Sequence, residues 1–495
     1  MATAAPLTGS MPLAAVLADP ACLGGDTPIS GLQLDSRQVK PGDLFLAVPG
    51  DVHDGRQFIE QAVANGAAAI AAEAPVAGFV DAIPVPLVEI PELRFDVGHL
   101  AARFYRHPSR DLHMVGVTGT NGKTTTSRLV AQLGRSLGKS CGTIGTLGAS
   151  LGEEVTAASN TTPDPVSLQR QLAEWRAAGV FAVSMEVSSH ALVQGRVNGI
   201  EFETAVYTNL SHDHLDYHGS MDAYSRAKMQ LFTTEGLRHA VLNLDDDYSP
   251  LVRAVVAEGV HIVTYSSRGG PADVRVENTR FVAGGVSAEL HTPWGAGEFF
   301  SPLPGDFNLA NLAAAVSALV LAGEDLLAVL AAVSSLHPVP GRMETIPNEL
   351  GLQVIVDYAH TPDALEQVLL ALRSHVQGKL VTLFGCGGDR DREKRQVMGR
   401  VACQLSDRVI LTSDNPRSEN PLDILRDIES GCSGDYVLVE DRAEAIALAV
   451  AEAASGDCIV IAGKGHEDYQ ILEGQRMPFS DAAQARDALQ RRAAT

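Results

Sequence analysis

MVGVTGTNGKTTTSRLV, residues 114–130, is the stretch that decides the fold of this chain. An apolar run ends in a glycine-rich turn, and a helical pattern begins directly after it. Such a turn presents backbone N–H groups and the positive end of a helix dipole to phosphate. Lys123 adds a charge for the β and γ oxygens of a nucleotide, and Thr124 offers a hydroxyl to Mg²⁺. The pattern G-x-x-x-x-G-K-[ST] is missed at one place, Val117, so an ordinary glycine-rich turn is the alternative to an ATP site.

Outward from this stretch, the chain divides at two polar, proline-containing links, RHPSRDLH (106–113) and SSLHPVPGRME (334–344). Before the first link, short apolar runs alternate with turns, which indicates a small α/β unit. Beyond the second link, strand–loop–helix units repeat, which predicts a mostly parallel, doubly wound sheet. We therefore predict an α/β protein of three domains with the bounds 1–108, 109–336 and 337–495.

The composition argues against several classes of protein. A net charge of −22 makes nucleic acid an improbable partner, because duplex binding needs a basic surface. Apolar runs are shorter than the ~20 residues of a membrane span, and the first residues lack the basic segment of a signal peptide. The six cysteines lie scattered without a C-x-x-C pair, which favours free thiols. We expect a cytoplasmic protein without membrane insertion.

Acidic and histidine side chains follow two further strand candidates of the central region. Glu186 ends the apolar part of SMEVSSH (184–190), where it is either a metal-binding carboxylate beside the phosphate loop or a solvated or capping acid. TNLSHDHLDYHG (208–219) crowds three histidines and two aspartates into one loop. A phosphate or Mg²⁺ site, a surface turn and a zinc cluster are the alternatives there, although the spacing of a tetrahedral zinc site is missing.

In the third region, four loops follow predicted strands: 357–360, 387–392, 414–417 and 463–467. In doubly wound sheets ligands bind beyond the carboxyl ends of the strands, so we expect these loops to face one crevice. SDNPRSEN (413–420) sets an acid, an amide, a rigid turn and a guanidinium side by side, between a predicted strand over 407–412 and a predicted helix over 422–430. GCGGDRDREKR (385–395) is either an anion-binding loop or a salt-bridged helix start.

Asn308 and Asn311 lie at i and i+3 near the start of a long predicted helix, on one face. Asn308 is either a helix cap or, with Asn311, a reader of a nucleotide base or ribose. Asp357 and His360 flank Tyr358, where a ribose contact with a stacking face and a core tyrosine beside a solvated histidine are both plausible. These residues alone do not decide between the alternatives.

Ten motifs in the same order resemble the Mur ligases of peptidoglycan synthesis over nearly the whole chain. They are TGTNGKTT (118–125), NTTPD (160–164), MEVSSHAL (185–192), TNLSHDHLDYHG, GDFNLANLAAA (305–315), GRME (341–344), VDYAHTPDAL (356–365), GGDRDREKR (387–395), DNPR (414–417) and KGHEDYQ (464–470). The resemblance implies an N-terminal UDP-binding domain, a central P-loop ATPase domain and a C-terminal Rossmann-like domain. It also implies a cytoplasmic ligase of cell-wall synthesis that acts as a monomer.

The resemblance further implies roles for individual residues. ATP would be contacted by Gly119, Thr120, Asn121, Gly122, Lys123, Thr124, Thr125, Asn308, Arg342, Asp357 and His360. The UDP-MurNAc-L-Ala-D-Glu substrate would be held by Leu34, Ser36, Asp51, Val52, His53, Asn160, Thr161, Thr162, Ser188, Gln194 and Arg196. Mg²⁺ would be held by Thr124, Glu186, His214 and Lys228, the last as a CO₂-derived carbamate. Catalysis would rest on Lys123, Lys228, His214 and Glu186.

The resemblance implies a reaction in which ATP phosphorylates the D-glutamyl carboxylate and an amino acid's amine attacks the acyl phosphate. The expected amino acid is meso-2,6-diaminopimelate, because a guanidinium grips its extra carboxylate bidentately. Its site would consist of Arg390, Asp414, Asn415, Pro416, Arg417, Gly463 and Glu467.

Three competing functions are distinguishable. A relative that adds lysine or glutamate would leave Arg417 without a carboxylate. A P-loop kinase would stop at a phosphorylated product without any dependence on an amino acid. A nucleotide-binding partner protein would show no turnover with any acceptor.

Overall fold

The computed structural model describes residues 9–50, 53–79, 83–152, 154–156, 160–282, 284–373 and 376–494. It contains three main sheets along the chain, formed within residues 31–90, 113–301 and 344–462. The predicted α/β class is confirmed. Within the described residues, no helix has the length and apolar content that a membrane crossing requires.

The first sheet has four parallel strands in the order in which they occur along the chain. Its helices and a short antiparallel strand pair surround a small core, which matches the small α/β unit predicted from the alternation of apolar runs and turns. The elements are β1 (Met11–Pro12), α1 (Leu13–Leu17), β2 (Pro28–Ile29), β3 (Gly31–Gln33), β4 (Asp43–Ala47), α2 (Ile59–Ala64), β5 (Ala69–Glu73), β6 (Leu87–Ile90) and α3 (Leu93–Phe104).

The central sheet has eleven strands, parallel in its middle and antiparallel at both edges. Its strands are β7 (His113–Thr118), β8 (Cys141–Gly145), β9 (Gly148–Leu151), β10 (Glu154–Thr156), β11 (Ala182–Glu186), β12 (Thr204–Tyr207), β13 (His239–Asn243), β14 (His261–Ser266), β15 (Val274–Val282), β16 (Gly285–Thr292) and β17 (Gly295–Ser301). The order β8-β11-β7-β12 places β7 between two parallel neighbours. The loops that follow these strands therefore meet at one edge.

Helices cover this sheet and form its core with it. They are α4 (Lys123–Ser136), α5 (Pro165–Ala177), α6 (Ser189–Val193), α7 (Leu215–His218), α8 (Met221–Met229), α9 (Ser249–Val255), α10 (Phe307–Leu321) and α11 (Leu326–Ala332). The alanine-rich α10 packs against α4, and both bury apolar side chains such as Leu133 and Leu312. Burial of each leucine side chain contributes about 1.5–3 kcal/mol to the free energy of folding. This packing holds α4, and with it the residues at its start, against the sheet.

The third sheet has the order β18-β19-β23-β20-β21-β22, with only β18 antiparallel. Its strands are β18 (Glu344–Thr345), β19 (Gln353–Asp357), β20 (Leu380–Phe384), β21 (Arg408–Leu411), β22 (Tyr436–Leu438) and β23 (Cys458–Ala462), followed by the hairpin β24 (Tyr469–Leu472) and β25 (Gln475–Pro478). Its helices are α12 (Pro362–Arg373), α13 (Glu393–Leu405), α14 (Pro421–Glu429), α15 (Arg442–Glu452) and α16 (Asp481–Ala493). The strand and helix predicted around DNPR are confirmed to within one residue as β21 and α14.

The six cysteines are free thiols in the structure.

Candidate functional site

The glycine-rich loop between β7 and α4 has a backbone that only glycine supports at two places. Gly119 and Gly122 have φ of 150° and 84°. A Cβ at Gly119 would lie 1.9 Å from Thr208 Oγ1, and one at Gly122 would lie 2.5 Å from Asn311 Oδ1. These close approaches, together with the left-handed backbone, explain the glycines of the TGTNGKT stretch.

The loop after β12 fixes the glycine-rich loop by hydrogen bonds. The N–H of Asn121 donates to Asn209 Oδ1 at 2.9 Å, and Thr208 Oγ1 donates to the carbonyl of Asn121 at 2.6 Å. The N–H of Thr120 donates to the carbonyl of Asn209 at 2.8 Å. Because β7 and β12 pair in parallel, both loops leave the sheet at the same edge, and the loop is held in shape before any ligand binds.

Two lysine side chains converge on one carbonyl of this loop. Nζ of Lys123 lies 2.8 Å from the carbonyl oxygens of Gly119 and Thr120, and Nζ of Lys228 lies 2.7 Å from that of Gly119. Burial, and after it the charge of Lys123, lowers the pKa of Lys228 well below its ordinary value. Burial also lowers the pKa of Lys123. Lys228, whose role was given only by the resemblance, therefore lies at the phosphate loop.

Glu186 ends β11, and its carboxylate reaches the first turn of α4. Thr124 Oγ1 donates to Glu186 Oε2 at 2.9 Å, and the N–H and hydroxyl of Thr146 donate to the same carboxylate at 2.8 and 3.0 Å. Glu186 is buried. The interpretation of Glu186 as a solvated loop residue is therefore wrong, because its carboxylate faces the phosphate loop.

His214 has φ of 54° and lies beside Asp213. Burial holds the pKa of His214 well below its ordinary value, so its imidazole is neutral and able to act as a ligand at neutral pH. Burial alone would raise the pKa of Asp213, but His214, His360, Lys394 and Lys123 together hold it below its ordinary value. The threonine hydroxyl and the carboxylate in this cavity are oxygen donors of the kind that a hard divalent cation such as Mg²⁺ prefers, and the imidazole adds a nitrogen donor.

A cavity of about 810 Å³ opens above the phosphate loop. It lies between the second part of the chain (109–336) and the third part (337–495). Its walls include the predicted nucleotide residues Asn308, Arg342, Asp357 and His360, as well as the predicted metal residues Thr124, Glu186, His214 and Lys228. The volume is large enough for a nucleotide-sized ligand.

Contacts across the cavity join the two parts. Arg342 Nη2 donates to Thr124 Oγ1 at 3.2 Å, while its guanidinium lies 4.2 Å from the centre of the Tyr358 ring. Asn121 Nδ2 donates to Asp363 Oδ2 at 2.9 Å. Residues of the third part therefore touch the phosphate loop directly.

The structure excludes a helix cap at Asn308 and shows the contacts of Asp357. Asn308 is not the cap of α10, which is Asp306; its side chain lies within the first turn, and Oδ1 accepts a hydrogen bond from Asn311 Nδ2 at 3.2 Å. Asp357 is buried, which raises its pKa, and its carboxylate accepts hydrogen bonds from the N–H groups of Met343 and Ala359 at 2.7 and 2.8 Å.

The four loops of the third sheet meet, as the sequence predicted. Asn415 Nδ2 donates to Glu467 Oε2 at 2.9 Å, and Nη1 of Arg417 donates to the carbonyl of Gly388 at 2.7 Å. The N–H of Gly463 donates to the carbonyl of Asp357 at 3.1 Å. Arg390 is exposed beside them, and Pro416 is buried. The 357–360 loop lines the nucleotide cavity, whereas the residues named here from the other three loops do not, so those three loops form an adjoining site.

Side chains predicted to hold the dipeptide gather beside Glu186. Thr162 Oγ1 donates to the carbonyl of Glu186 at 2.9 Å and accepts from the N–H of Ser188 at 3.2 Å. Arg196 Nη1 donates to the carbonyl of Thr162 at 3.0 Å. Thr161 lines the cavity through its contact with Thr146. Gln194 contacts the hydroxyl of Tyr217 at 3.3 Å, and Asn160 is exposed.

The residues predicted to bind UDP lie apart from this cavity. Ser36 is buried and donates to Gln61 Oε1 at 2.7 Å, Leu34 is half-buried, and His53 is exposed near Phe58. Asp51 and Val52 lie outside the described residues. The structure therefore places the residues predicted to bind the nucleotide, the metal and the dipeptide close to one another. The residues predicted to bind UDP lie elsewhere, in the first domain.

Sequence reasoning did not assign three residues that the structure places in these sites. Thr146 shares the Glu186 carboxylate, and Asp363 binds Asn121. Lys464 is fully buried, with Nζ 2.8 Å from Glu467 Oε2 and 3.1 Å from Asn415 Oδ1. Lys464 lies in the motif KGHEDYQ and Asp363 in VDYAHTPDAL, so each could have been found from its position next to predicted site residues. Thr146 lies in none of the quoted motifs.

The histidine-rich loop separates into different environments. His212 points to the third part, with Nε2 2.8 Å from Asp391 Oδ2, whereas His214 lines the cavity. Within the described residues, His212, Asp391 and Glu393 form a group with metal-ligand spacing. Asp391 Oδ1 also accepts from the N–H of Glu393 at 2.9 Å, as a helix-start contact does. A hydrogen bond between His212 and Asp391 across the two parts accounts for this group.

Comparison with known families and proteins gives concordant results. The family description "Mur ligase family, catalytic domain" matches residues 28–105, "Mur ligase middle domain" matches 117–319, and "Mur ligase, glutamate ligase domain" matches 341–465. A Coxiella burnetii protein named UDP-N-acetylmuramoyl-L-alanyl-D-glutamate--2,6-diaminopimelate ligase is 47% identical over 94% of this chain and 97% of its own length. A Pseudomonas aeruginosa protein of the same name is 49% identical over 94% and 96%.

Solved structures agree with this similarity. A structure with the same ligase name superposes with a TM-score of 0.71 at 38% identity, covering 98% of this chain and all of the other. The MurF ligase from Thermotoga maritima in complex with ADP superposes with a TM-score of 0.64 at 20% identity, covering 93% of this chain and 97% of that one. At that identity the likeness shows the fold alone.

Buried histidines predict how stability depends on pH. Burial lowers the pKa of His466 to about 4, against an ordinary value of 6.5. The unfolded chain therefore binds a proton at this position below pH 6.5, whereas the folded chain does so only near pH 4. Protonation favours the unfolded state, so the free energy of unfolding should fall as the pH drops from about 6.5 towards 4.

Urea unfolding at pH 7.0 and pH 5.2 measures this effect. We expect a lower midpoint at pH 5.2, and a smaller drop for His466→Gln than for the unaltered chain. His99→Gln, at an exposed position of α3, is the control and should keep the full drop. An equal drop in all three proteins would contradict the assignment to His466.

Proposed function

The chain belongs to the Mur ligase family, and from that premise we propose that it joins meso-2,6-diaminopimelate to UDP-MurNAc-L-Ala-D-Glu with hydrolysis of ATP to ADP and phosphate. Three family descriptions match along the chain, and relatives with 45–50% identity over nearly its full length bear this ligase name. The resemblance stated from the motifs is thereby confirmed. The single observation that carries the proposal is that the phosphate loop and the 357–360 loop line one cavity, beside the adjoining site that contains Arg417.

The residues of the phosphate loop bind and orient ATP. The N–H groups at the start of α4 and the ammonium of Lys123 face the phosphates, which offsets the repulsion between the nucleotide and a second anion, the D-glutamyl carboxylate. That carboxylate attacks the γ-phosphorus, the bond to the β-phosphate oxygen breaks, and an acyl phosphate and ADP form. The amine of the amino acid then attacks the acyl carbon, loses a proton, and phosphate leaves as the amide bond forms.

Thr124, Glu186 and, as a carbamate, Lys228 would hold Mg²⁺ through oxygen atoms, which this ion prefers, and His214 would add a nitrogen donor. When bound, Mg²⁺ neutralises charge on the phosphates. The Asn308–Asn311 pair and Arg342 lie where they are able to orient the nucleotide and close the cavity against water.

Lys228 is proposed to carry a carbamate. Its amine lies buried against the Gly119 carbonyl and 4.4 Å from the centre of the Tyr224 ring, close to Lys123. An ammonium in this place would be repelled by Lys123 and by a divalent cation. A carbamate, formed when the neutral amine adds to CO₂ and releases a proton, reverses the charge and pairs with both.

Arg417 is proposed to select the amino acid. Its Nη1 contacts the carbonyls of Gly388 and Asn415 at 2.7 and 3.5 Å. Within the described part of the chain, Nε and Nη2 make no hydrogen bond, and they form the edge that grips a carboxylate bidentately. Arg390 would assist from the exposed side. Glu467, Asp414, Asn415 and the backbone at Gly463 would receive ammonium groups, while Pro416 holds the turn.

We further propose that residues 1–108 bind UDP through Leu34, Ser36, His53 and the neighbouring Asp51 and Val52, that 109–336 bind ATP, and that 337–495 bind the amino acid. The dipeptide would lie between them, along Asn160, Thr161, Thr162, Ser188, Gln194 and Arg196.

Closure of the three units before the chemical step is expected, because the three substrates come from different units. We propose a monomeric enzyme that acts in the cytoplasm, where its nucleotide substrates are present.

Phosphate release tests the proposed reaction. The chain is mixed with Mg·ATP and UDP-MurNAc-L-Ala-D-Glu, and meso-diaminopimelate or L-lysine is added in parallel. We expect phosphate release only with diaminopimelate. Release with lysine would retain the ligase and overturn the role of Arg417, and release without any amino acid would indicate a plain ATPase. Release with neither amino acid would indicate a kinase, which leaves the phosphate on its product, or a binding protein without turnover.

Replacement of Arg417 tests the selection of the amino acid. Arg417→Ala should lower kcat/KM for diaminopimelate by roughly a hundredfold or more, because the distal carboxylate loses its bidentate partner. KM for ATP should stay unchanged. Arg426→Ala, an exposed arginine of α14 in the same domain, is the control. Unchanged diaminopimelate kinetics in Arg417→Ala would remove this role.

Replacement of Lys228 tests the carbamate. Lys228→Ala should lose most of the phosphate release, because the cation loses an anionic ligand. The carbamate itself should appear as a carbonyl ¹³C resonance when the unaltered chain is incubated with ¹³C-bicarbonate, and this resonance should be missing in Lys228→Ala. Full activity of the variant, or an identical resonance in both proteins, would contradict the proposal.

A further inference from the structure

Arg442 and Asp481 form an ion pair that solvent does not reach. Both side chains are fully buried, with Nε 2.7 Å from Oδ1 and Nη2 2.8 Å from Oδ2. Arg442 is the first residue of α15, and Asp481 is the first residue of α16. The bidentate geometry fixes the plane of the guanidinium. No function described above uses either residue.

The remaining donors of Arg442 bind the ends of two strands. Nη2 donates to the carbonyl of Ala462 at 2.9 Å, and Nη1 donates to that of Ser413 at 3.3 Å. Ala462 is the last residue of β23, and Ser413 follows β21 by two positions. These strands are not neighbours, since β20 lies between them. One guanidinium therefore spans the carboxyl edge of the sheet across an intervening strand.

Each of the two carbonyls directly precedes a residue of the proposed amino-acid site. Ser413 precedes Asp414, and Ala462 precedes Gly463. The loops beyond them interlock, because Lys464 Nζ contacts Asn415 Oδ1 at 3.1 Å and the N–H of Arg417 donates to the carbonyl of Ile471 at 3.2 Å. A Cβ at Gly463 would lie 2.7 Å from Asp414 Oδ2. A change in the distance between the two strand ends would therefore be transmitted to Asn415 and Arg417.

Stability alone does not account for this pair. Removing two charges from water is costly, and apolar side chains of similar size usually replace a buried ion pair without loss of stability. Two kinds of contact already fix the strand ends, namely the sheet bonds and the bond from the N–H of Thr412 to the carbonyl of Phe384 at 3.0 Å. What an apolar pair does not supply is a rigid set of donors to two carbonyls at a set separation.

We propose that Arg442 is a positioning residue for the amino-acid substrate, oriented by Asp481, and that the C-terminal helix α16 therefore forms part of the recognition of that substrate. Arg442 sets the separation between the 414–417 and 463–467 loops and does not touch the substrate. This inference rests on the proposed function, since it takes those loops as the amino-acid site.

The experiment replaces the whole pair. The double variant Arg442→Met, Asp481→Leu leaves no unpaired buried charge, so it should fold with a thermal midpoint close to that of the unaltered chain. Its KM for diaminopimelate should rise about tenfold to a hundredfold, as is typical when a residue that orients a binding group is removed. KM for ATP and for UDP-MurNAc-L-Ala-D-Glu should stay within about twofold of the original value. Arg442→Lys, which keeps the charge with fewer donors, should show a smaller rise.

A matched control lies at the opposite ends of the same elements. Arg408 begins β21 and Glu452 ends α15, with Arg408 Nη2 2.7 Å from Glu452 Oε2. The double variant Arg408→Met, Glu452→Leu should leave all three KM values unchanged. Hydrogen exchange gives a second readout that does not need turnover: amides of 413–418 and 463–467 should exchange faster in the Arg442–Asp481 double variant and not in the control.

The outcomes separate the two proposals. An unaltered chain without diaminopimelate-dependent phosphate release would overturn the proposed function, and hydrogen exchange in the two loops would still decide whether Arg442 positions them. A folded double variant with the original KM for diaminopimelate, or one in which all three KM values rise equally, would overturn the positioning role. If the double variant does not fold, Arg442→Lys carries the same comparison, and an unchanged KM in it would count against the role.

Discussion

The carbonyl oxygen of Gly119 is the point on which the rest of the site depends. Two lysine side chains, Lys123 and Lys228, donate to it from different helices. Burial lowers the pKa of both lysines, and the charge of Lys123 lowers that of Lys228 further. An anionic group that enters the loop favours the charged form of a lysine, so the loop is suited to receive phosphate. The chain as a whole carries a net charge of −22, and its anionic substrates are therefore attracted only where cations and backbone N–H groups are concentrated.

The geometry that gathers these groups comes from parallel strand pairing. The strands β11, β7 and β12 lie side by side and place Glu186, the phosphate loop and the Thr208–Asn209 turn at one edge. In the third sheet the same rule brings the loops after β19, β20, β21 and β23 together. The two edges face each other, and Arg342 and Asp363 reach from one to the other. In the proposed reaction, transfer of phosphate and attack by an amine take place between these two edges.

The sequence predicted much of this because the relevant signals are local. Glycine is required at 119 and 122 by the backbone angle and by close packing. The alternation of apolar runs with helical patterns directly indicates strands and helices. The meeting of the four loops in the third sheet followed from topology alone. By contrast, Thr146 was missed, since nothing near it in the chain indicates that it shares the carboxylate of Glu186 from another strand. The exclusion of a helix cap at Asn308 also required the observed helix start at Phe307.

The sequence by itself determined the α/β class, the glycine-rich loop before α4 and the family, and it gave the proposal of which side chains bind a nucleotide, a cation and an amino acid with an extra carboxylate. Those properties are encoded in short stretches, where a residue's neighbours in the chain are also its neighbours in space. Only the tertiary structure decided which of these side chains touch, that Lys228 shares a carbonyl with Lys123, and that Arg442 joins two strand ends to the last helix. Such contacts link residues far apart in the chain, and their distances arise from the packing of whole sheets and helices.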